Sequence, residues 1–151
     1  MAEIVYVEEK TDALPQYGEV SIAFLVESEL KVKLIDRGLG GVRLTEVPVE
    51  SPYWVDYDAN RGAGPIRWER RWNIENWGLI SAFDREKRVG GAVIAFDTPG
   101  VDYLEGRNDI TALWDLRVSP EYRGRGVGAA LVRKCIEWSR NRGCKFMKVE
   151  L

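Results

Sequence analysis

The segment SPEYRGRGVGAALVRKC, from Ser119 to Cys135, is the most informative stretch for the fold, and it places two arginines at the start of a predicted helix. Apolar residues recur at helical spacing after Gly126, which predicts a glycine-rich turn that leads into a helix. The N-terminal end of a helix carries partial positive charge. Arg123 and Arg125 nevertheless lie at this end, and no carboxylate follows in the first turn to balance them. The arrangement becomes favourable when an anion binds there.

The glycines around these arginines favour a phosphate group as that anion. Glycine lets the backbone approach a ligand closely and turn several N–H groups inward, while the arginines add mobile positive charge. A Walker A loop is excluded, because Gly128 is followed by Ala129 and not by lysine. The dinucleotide fingerprint G-x-G-x-x-G is matched only in part, by Gly124, Gly126 and Gly128. The turn therefore predicts a diphosphate site and leaves its ligand open.

The elements on either side of the turn predict a parallel crossover. Residues 111–118 form the strand before the turn, residues 126–142 form the helix, and residues 145–151 form a second strand. A strand, a helix and a strand in this order make a right-handed crossover. The apolar face of the helix consists of Val127, Leu131, Cys135 and Trp138.

The strand before the turn is expected to alternate between the two faces of its sheet. Trp114, Leu116 and Val118 lie on one face, and Asp115 and Arg117 lie on the other. We expect the side chains of Leu116 and Val118 to be buried.

Upstream of this unit the sequence predicts strands, one short helix and one long loop. The clearest pattern is a hairpin over 77–97, in which two apolar runs flank the charged turn DREK. Together with the crossover, these elements indicate the α+β class. The other predicted elements are a strand over 3–9, a short helix over 12–24, two strands over 30–49 around a glycine-rich turn, and a loop over 50–65.

The predicted loop over 50–65 is rich in aromatic and acidic side chains. Tyr53, Trp54, Asp56 and Tyr57 lie close together in it. Long loops inside compact domains are often functional, so these four residues are candidates for contact with a substrate. The alternative is that the aromatic side chains pack the loop onto the body of the protein.

Length and composition limit the classes of protein to consider. The chain has 151 residues, enough for one domain with a core and too few for two, so we expect a single domain over 1–151. The net charge of −2 gives no basic field that would favour a nucleic-acid partner. No apolar run could span a membrane and no signal peptide is recognisable, so we expect a cytoplasmic protein with no membrane partner.

Histidine is absent from the sequence, and this removes several kinds of chemistry. Ser-His and Cys-His nucleophile pairs, imidazole bases and histidine-containing zinc sites are excluded, and we expect no metal site. A proton must be accepted by a carboxylate, a tyrosine, a lysine, a cysteine, water or the substrate. The two cysteines, Cys135 and Cys144, predict buried reduced thiols and not a disulfide.

The segment LWDLRVSPEYRGRGVGAALV, residues 113–132, resembles the signature of the GNAT superfamily of acetyl-CoA-dependent N-acyltransferases. The resemblance rests on the proline after the strand and on the frame R-x-x-G-x-G of Arg123, Gly126 and Gly128. It covers roughly residues 112–151. Residues 27–57 are similar to the streptothricin acetyltransferase branch of that superfamily. The resemblance implies a mixed, mostly antiparallel twisted sheet flanked by helices.

The resemblance also implies acetyl-CoA as the co-substrate and indicates where it binds. Its pantetheine arm would pair with the main chain of Leu116, Arg117 and Val118. The arginine side chains of the turn would add donors to the diphosphate. The backbone amides expected to hold the diphosphate are those of Arg123, Gly124, Arg125, Gly126, Val127, Gly128 and Ala129.

The implied reaction is direct transfer of an acetyl group to an amine, whose proton a carboxylate or a water chain removes. Asp115 is the candidate catalytic carboxylate, and the alternative is that it is a surface or capping aspartate. The tyrosine that serves as general acid in the family cannot be assigned, because related chains carry it in a region beyond Leu151. We therefore expect a domain that lacks the family's C-terminal strands and helix, with an open strand edge that self-associates.

Acidic loop residues favour a cationic acceptor. With the aromatic residues of the loop over 50–65, they would hold a polycationic amine by charge and cation–π contacts. A streptothricin-like or aminoglycoside-like antibiotic is the sharpest form of this hypothesis, and solvated loop charge is its alternative. The competing function is a truncated, catalytically impaired relative that binds coenzyme A or acts by self-association. The acidic residues are Asp56, Asp58, Asp97, Asp102, Glu105 and Asp109.

Overall fold

The computed structural model describes residues 3–61 and 64–150 of the chain. The strands are β1 (Ile4–Glu9), β2 (Phe24–Leu34), β3 (Val42–Val55), β4 (Gly78–Asp84), β5 (Lys87–Phe96), β6 (Ile110–Val118) and β7 (Phe146–Val149). The helices are α1 (Leu14–Tyr17), α2 (Tyr57–Arg61), α3 (Trp68–Arg71) and α4 (Val127–Asn141). None of these described helices combines the length and the apolar character that crossing a membrane requires.

Five strands form the main sheet, in the order β1, β4, β5, β6, β7. Every neighbouring pair is antiparallel except β6 and β7, which run parallel. The expected α+β class, with a mixed and mostly antiparallel sheet flanked by helices, is confirmed. The hairpin predicted over 77–97 forms β4 and β5.

The β6–α4–β7 unit is the parallel crossover that the glycine-rich turn predicts. Gly143 follows α4 with a φ of +75°, the left-handed conformation that glycine tolerates, and its N–H donates to the Arg140 carbonyl at 3.0 Å. This glycine ends the helix close to the predicted boundary. The four residues predicted for the apolar face of α4 are all buried, and they are Val127, Leu131, Cys135 and Trp138.

The main sheet separates two apolar clusters, and β4 and β5 contribute to both. Burial of each large apolar side chain stabilises the fold by about 1.5–3 kcal/mol, so these central strands anchor the structure. Under α4 the sheet contributes Ile80, Ala82, Val89, Ala92 and Ile94. On the opposite face the cluster includes Leu14, Tyr17, Leu79, Val93, Ala95 and Ala112.

A β-bulge in β6 changes which side chains share a face of the sheet. Val93 of β5 pairs with Asp115, but its neighbour Ile94 pairs with Leu113, so Trp114 is an extra residue in β6. Trp114 packs against the apolar cluster that contains α1, and Asp115 accepts a hydrogen bond from α1. The two residues therefore lie on the same face.

The strict alternation expected for β6 is consequently wrong. Leu116 and Val118 lie on the α4 face, because both approach to within 4.0 Å of the point where a side chain at Gly128 would begin. Leu116 is 38% exposed, so its expected burial is also wrong, whereas the side chain of Arg117 is fully buried. An inserted residue reverses the facing of one part of a strand, and the local sequence does not mark its position.

Two predicted boundaries in the N-terminal half are also wrong. The helix expected over 12–24 is a 3₁₀ turn followed by α1, which ends at Tyr17. The loop expected over 50–65 begins as the end of β3 and continues into α2, and its residues 62 and 63 lie outside the described residues. The two strands expected over 30–49 are present, but they extend to both sides as the long antiparallel pair β2 and β3. Cross-strand pairing, which a local pattern does not encode, accounts for this extension.

The two cysteines differ in their surroundings. Cys135 is buried in the apolar face of α4, and burial raises the pKa of its thiol to about 12. Its thiol is therefore protonated at neutral pH and unreactive. Cys144 is likewise a free cysteine, but it is partly exposed, so the burial predicted for it is wrong.

Substitution of Gly91 tests how closely β5 packs against α1. A Cβ at this position would lie 2.7 Å from Cε2 of Tyr17 and 2.8 Å from the carbonyl oxygen of Ile80. We expect Gly91→Ala to lower the free energy of unfolding by about 1–3 kcal/mol, because the ring or the strand must move. Urea denaturation measures this change.

Gly128→Ala is the matched control for this substitution. The nearest atom to a Cβ at Gly128 would be 3.9 Å away, an ordinary contact distance. Alanine favours the helix, so this variant should be neutral or more stable by up to about 1 kcal/mol. Equal stabilities of the two variants would contradict the close packing at Gly91.

Candidate functional site

The backbone of the turn between β6 and α4 is not covered by neighbouring atoms at its two glycines, Gly124 and Gly126. Gly124 and Gly126 adopt φ values of +72° and +84°, which strain other residues, and no neighbouring atom lies within 4 Å of either Cβ position. Residues 120–122 form a single 3₁₀ turn that reverses the chain after β6. Gly126 then occupies the N-cap position of α4. A ligand can therefore approach this backbone closely.

The N-terminus of α4 offers donors for an anion. No side chain caps this helix, and its first turn contains no acidic residue. Within the described chain, the backbone N–H groups of residues 126–129 have no acceptor, whereas the Ala130 N–H donates to the Gly126 carbonyl at 3.0 Å. Unpaired N–H groups and the helix dipole together favour phosphate binding at such a position.

The two arginines of the turn have different surroundings. The Arg123 guanidinium donates to the carbonyl oxygens of Val118 and Ala23, both at 2.8 Å, and to that of Ser21 at 3.3 Å. Arg123 therefore ties the turn to the segment before β2, and these bonds occupy donors that the expected diphosphate contact would use. The Arg125 guanidinium lies 5.5 Å from the centre of an aromatic ring in the same turn.

Strand β6 leaves β7 before it reaches the turn. The two strands pair only through residues 110–113 and 146–149, whereas β6 continues along β5 to Val118. Along residues 114–118, the side of β6 that faces away from β5 has no strand partner among the described residues. An extended ligand can pair with such an open edge as an added strand. Pairing of a pantetheine arm with residues 116–118 fits this gap and stays a prediction.

A cavity of about 850 Å³ opens beside the bulge in β6. Its volume suits a small-molecule ligand, and aromatic faces of this kind attract cations. Trp72 and Trp114 meet edge to face with ring centroids 5.1 Å apart, and Tyr103 meets Trp114 at 6.1 Å. The aromatic residues that line the cavity are Tyr57, Trp68, Trp72, Tyr103 and Trp114.

A hydrogen-bonded network around Asp115 forms part of the cavity wall. The Tyr17 hydroxyl donates to Asp115 Oδ2 at 2.6 Å, and Arg117 Nε donates to the same oxygen at 2.8 Å. Arg117 Nη1 donates to Asp58 Oδ2 at 2.9 Å and to the Val20 carbonyl at 3.1 Å. Asp58 and Asp115 line the cavity, whereas Tyr17 and Arg117 are buried behind them.

This network fixes the charge of its buried members. Burial raises the pKa of the Tyr17 hydroxyl well above its ordinary value, and the charge of Asp115 raises it further, so Tyr17 remains a neutral donor. Burial alone would lower the pKa of Arg117, but the hydrogen bond and the charge of Asp115 outweigh burial, and the pKa is raised. Arg117 is therefore a permanent buried cation between two carboxylates that face the cavity.

The cavity also contains basic groups. Arg67, Arg71 and Lys148 line it, and so does the carboxylate of Glu150. Arg71 lies 4.6 Å over the Trp72 ring, and Lys148 forms an ion pair at 2.9 Å with a glutamate outside the cavity. The lining therefore has mixed charge, with acidic groups at Asp58, Asp115 and Glu150.

The structure separates the four candidate substrate residues. Tyr57 lines the cavity from α2, but Tyr53 and Trp54 lie on β3 at 51% and 65% exposure and do not line it. Asp56 accepts a hydrogen bond from the Asp58 N–H at 3.0 Å and so stabilises the start of α2. Substrate contact by Tyr53, Trp54 and Asp56 stays a prediction.

The other acidic loop residues lie away from this cavity. Asp109 forms an ion pair with Arg107 at 2.7 Å. A second cavity, of about 350 Å³, is lined by Asp97, Asp102 and Glu105.

No set of three or more histidine, cysteine, aspartate and glutamate side chains is placed for a metal ion within residues 3–61 and 64–150.

Sequence reasoning missed several side chains that build the site. Tyr17 and the Arg117 side chain gave no signal, because a tyrosine in a short helix and an arginine in a strand are ordinary surface patterns. The segment WERRW did carry a usable signal, since Trp68 and Trp72 are four residues apart and such residues share a helix face.

Comparisons with known sequences agree with this geometry. Residues 43–151 match the profile of the Acetyltransferase (GNAT) family. An uncharacterized N-acetyltransferase of Methanocaldococcus jannaschii is 29% identical over 85 residues, which are 55% of this chain and 36% of that protein. This match leaves most of the relative's own length uncovered.

Solved structures show the same fold. Nourseothricin acetyltransferase superimposes with a TM-score of 0.64 at 21% identity, over 98% of this chain and 73% of that chain. A Bacillus anthracis strain Ames protein, described as a streptothricin acetyltransferase and solved with acetyl coenzyme A, gives 0.61 at 18% identity, over 99% and 75%. AAC(6')-Iy with a bisubstrate analogue gives 0.53 at 16% identity, over 99% and 80%.

The family profile covers most of the chain, and solved acetyltransferase structures share its fold. The resemblance inferred from the glycine-rich turn is thereby confirmed. The chain belongs to the GNAT family of acetyltransferases.

Proposed function

We propose that this chain transfers the acetyl group of acetyl-CoA to a primary amine of a cationic small molecule. One observation carries the proposal: the anion-binding end of α4 and the cavity carboxylate Asp115 lie on one continuous strand–turn–helix unit. The turn provides donors for a diphosphate, and β6 provides an open edge that leads from the turn toward Asp115. GNAT acetyltransferases use acetyl-CoA, which has a group suited to each of these features.

The reaction needs a neutral amine at the thioester. The amine nitrogen attacks the carbonyl carbon, the carbon–sulfur bond breaks, and coenzyme A leaves as a thiolate, which finally takes up the one proton that the nitrogen loses. The proton of the attacking amine passes to Asp115 directly or through water. Because Asp115 Oδ2 already accepts bonds from Tyr17 and Arg117, the other carboxylate oxygen is the one that serves the amine. Tyr17 holds the carboxylate in place and is too deeply buried to reach a leaving group.

The cavity lining supports a cationic acceptor. Aromatic faces and three carboxylates favour an ammonium group, although two arginines and a lysine in the same lining oppose a high positive charge throughout the ligand. Acetyltransferases for nourseothricin, streptothricin and aminoglycosides share the fold, so antibiotics of these classes are the first acceptors to test. Acetylation of one of them would give the chain a role in resistance to that antibiotic.

An amine panel with acetyl-CoA tests the proposed activity, with release of the free thiol as the measurement. The panel contains nourseothricin, neamine and simple primary amines. We expect acetylation of at least one cationic member, and Asp115→Asn should lower kcat by about 100-fold or more, because the proton acceptor is lost. Circular dichroism controls for folding. Absence of thiol release with every amine would contradict the proposal.

A pair of substitutions at Ala129 tests the coenzyme site. Ala129 is exposed in the first turn of α4, so Glu and Gln can both be placed there without disturbing the core. Glu should stabilise the helix slightly but repel a diphosphate and compete for the same N–H groups. We expect Ala129→Glu to weaken coenzyme A binding by about tenfold or more relative to Ala129→Gln, because only charge distinguishes the two.

Isothermal titration with coenzyme A measures this difference. The affinity gap should shrink at high salt, since the repulsion is electrostatic. Equal affinities of the two variants at low salt would show that the diphosphate does not lie at α4. Binding without any turnover would favour the alternative function, a catalytically impaired binder of coenzyme A.

We also propose self-association through β7. Val149 of this edge strand is 50% exposed, and β7 has only β6 beside it among the described strands. Exposed apolar edge strands pair with other chains. Val149→Lys should therefore shift a dimer toward monomer in sedimentation equilibrium. Val5→Lys is the control, because Val5 is 53% exposed on the opposite edge strand, β1. A monomeric parent protein would contradict this proposal.

A further inference from the structure

The Arg117 side chain is a buried cation that joins three elements. It extends from β6 and is fully buried, with its guanidinium carbon 4.7 Å over the Tyr17 ring of α1. Its Nε and Nη1 atoms donate to Asp115 in β6, to Asp58 in α2 and to the Val20 carbonyl. A buried charge is stable only when it is paired and hydrogen-bonded, so these partners are required.

The two carboxylates that pair with Arg117 come from distant parts of the sequence. Asp115 follows the β6 bulge, and Asp58 lies in the short helix α2, which follows β3. Their side chains are 19% and 28% exposed, and both face the aromatic cavity. Each accepts from Arg117 through its Oδ2 atom, and the Oδ1 atoms have no hydrogen-bond donor among the described residues. The guanidinium therefore sets the positions of both carboxylates.

The charge of this group suits one ammonium ion. Two carboxylates and one guanidinium give a net charge of −1 beside the cavity, and a primary ammonium would neutralise it. Arg117 also limits how strongly the carboxylates hold an amine in its protonated, unreactive form. The charged and titratable groups that surround the same cavity or network are Tyr17, Tyr57, Arg67, Arg71, Tyr103, Lys148 and Glu150.

We propose that Asp58 is a specificity residue for the cationic acceptor and that Arg117 is the positioning residue that orients Asp58 and Asp115 toward one amine. This inference rests on the proposed acetyl transfer. Asp58 contacts the ammonium group, Asp115 accepts its proton, and Arg117 acts only through these two carboxylates. In a purely structural role, by contrast, the Arg117–Asp58 pair would only hold α2 against β6.

Asp58→Asn tests the specificity residue, with nourseothricin as the probe. The variant keeps the size of the side chain and removes its charge. We expect the KM for nourseothricin, and its dissociation constant in titration calorimetry, to rise by about 10- to 100-fold, because a charge-assisted hydrogen bond is lost. The KM for acetyl-CoA should not change.

Glu69→Gln is the matched control. Glu69 is exposed on α3, does not line the cavity, and loses the same negative charge. Its KM for nourseothricin should stay within about twofold of the parent value, as expected for a distant exposed charge. Equal effects of the two substitutions would overturn the role of Asp58.

The pH dependence separates a specificity role from fastening of α2. A neighbouring carboxylate stabilises an ammonium and raises its pKa, so removal of Asp58 should lower the pKa of the bound amine. The acidic limb of kcat against pH should then move down by about half a unit to one unit in Asp58→Asn. A variant that only loosens α2 would lose activity without moving this limb, and that result would overturn the inference.

Arg117→Lys tests the positioning residue. Lysine keeps the charge but cannot donate through a planar fork to both carboxylates. We expect the KM for nourseothricin to rise by about tenfold while coenzyme A affinity is unchanged. Arg117→Met also removes the positive charge. If this variant does not fold, Arg117→Lys and Asp58→Asn are sufficient to test the positioning role. A folded Arg117→Lys with unchanged KM would overturn the positioning role.

Failure of this inference is distinguishable from failure of the proposed activity. A parent protein that neither binds nor acetylates any amine of the panel overturns both. A parent protein that acetylates nourseothricin, beside an Asp58→Asn variant with the same KM and the same pH profile, overturns the inference and leaves acetyl transfer intact.

Discussion

An extra residue at Trp114 breaks the regular pairing of β6 with β5, and the rest of the site depends on this bulge. Two neighbouring side chains, Trp114 and Asp115, come to lie on the face that carries the cavity, whereas a regular strand would place them on opposite faces. Past Leu113, β6 also has no pairing with β7. The bulge at Trp114 thus lies beside Asp115, which lines the cavity, and at the point where β6 no longer pairs with β7.

The charge network around Arg117 explains how very short helices hold their places. Helices α1 and α2 have four and five residues, too few to be stable by themselves. Tyr17 of α1 packs under the guanidinium and bonds Asp115, and Asp58 of α2 pairs with Arg117. Because a buried cation that loses a partner is strongly destabilised, the same contacts that organise the cavity also fix these segments.

The turn at Gly126 and the network at Asp115 use different physical means to manage charge. The turn leaves backbone N–H groups unpaired among the described residues, an arrangement that favours an anion. The network pairs its cation with two carboxylates that line the cavity. Because β6 carries Asp115 and leads into the turn, the proposed co-substrate and the proposed cationic acceptor would meet beside this strand.

Several parts of the structure follow from local signals in the sequence. Glycine spacing, helical periodicity and alternating apolar runs predicted the turn before Gly126, the apolar face of α4 and the β4–β5 hairpin, because each depends on residues close together in the chain. The resemblance of residues 113–132 to the GNAT signature indicated the family. Long-range packing was needed to show which face Asp115 occupies, that the Arg117 side chain is buried, and that Asp58, Trp72 and Asp115 line one cavity. These features depend on a bulge in strand pairing and on contacts such as Tyr17 to Asp115, which are separated by 98 residues and leave no periodic trace in the sequence.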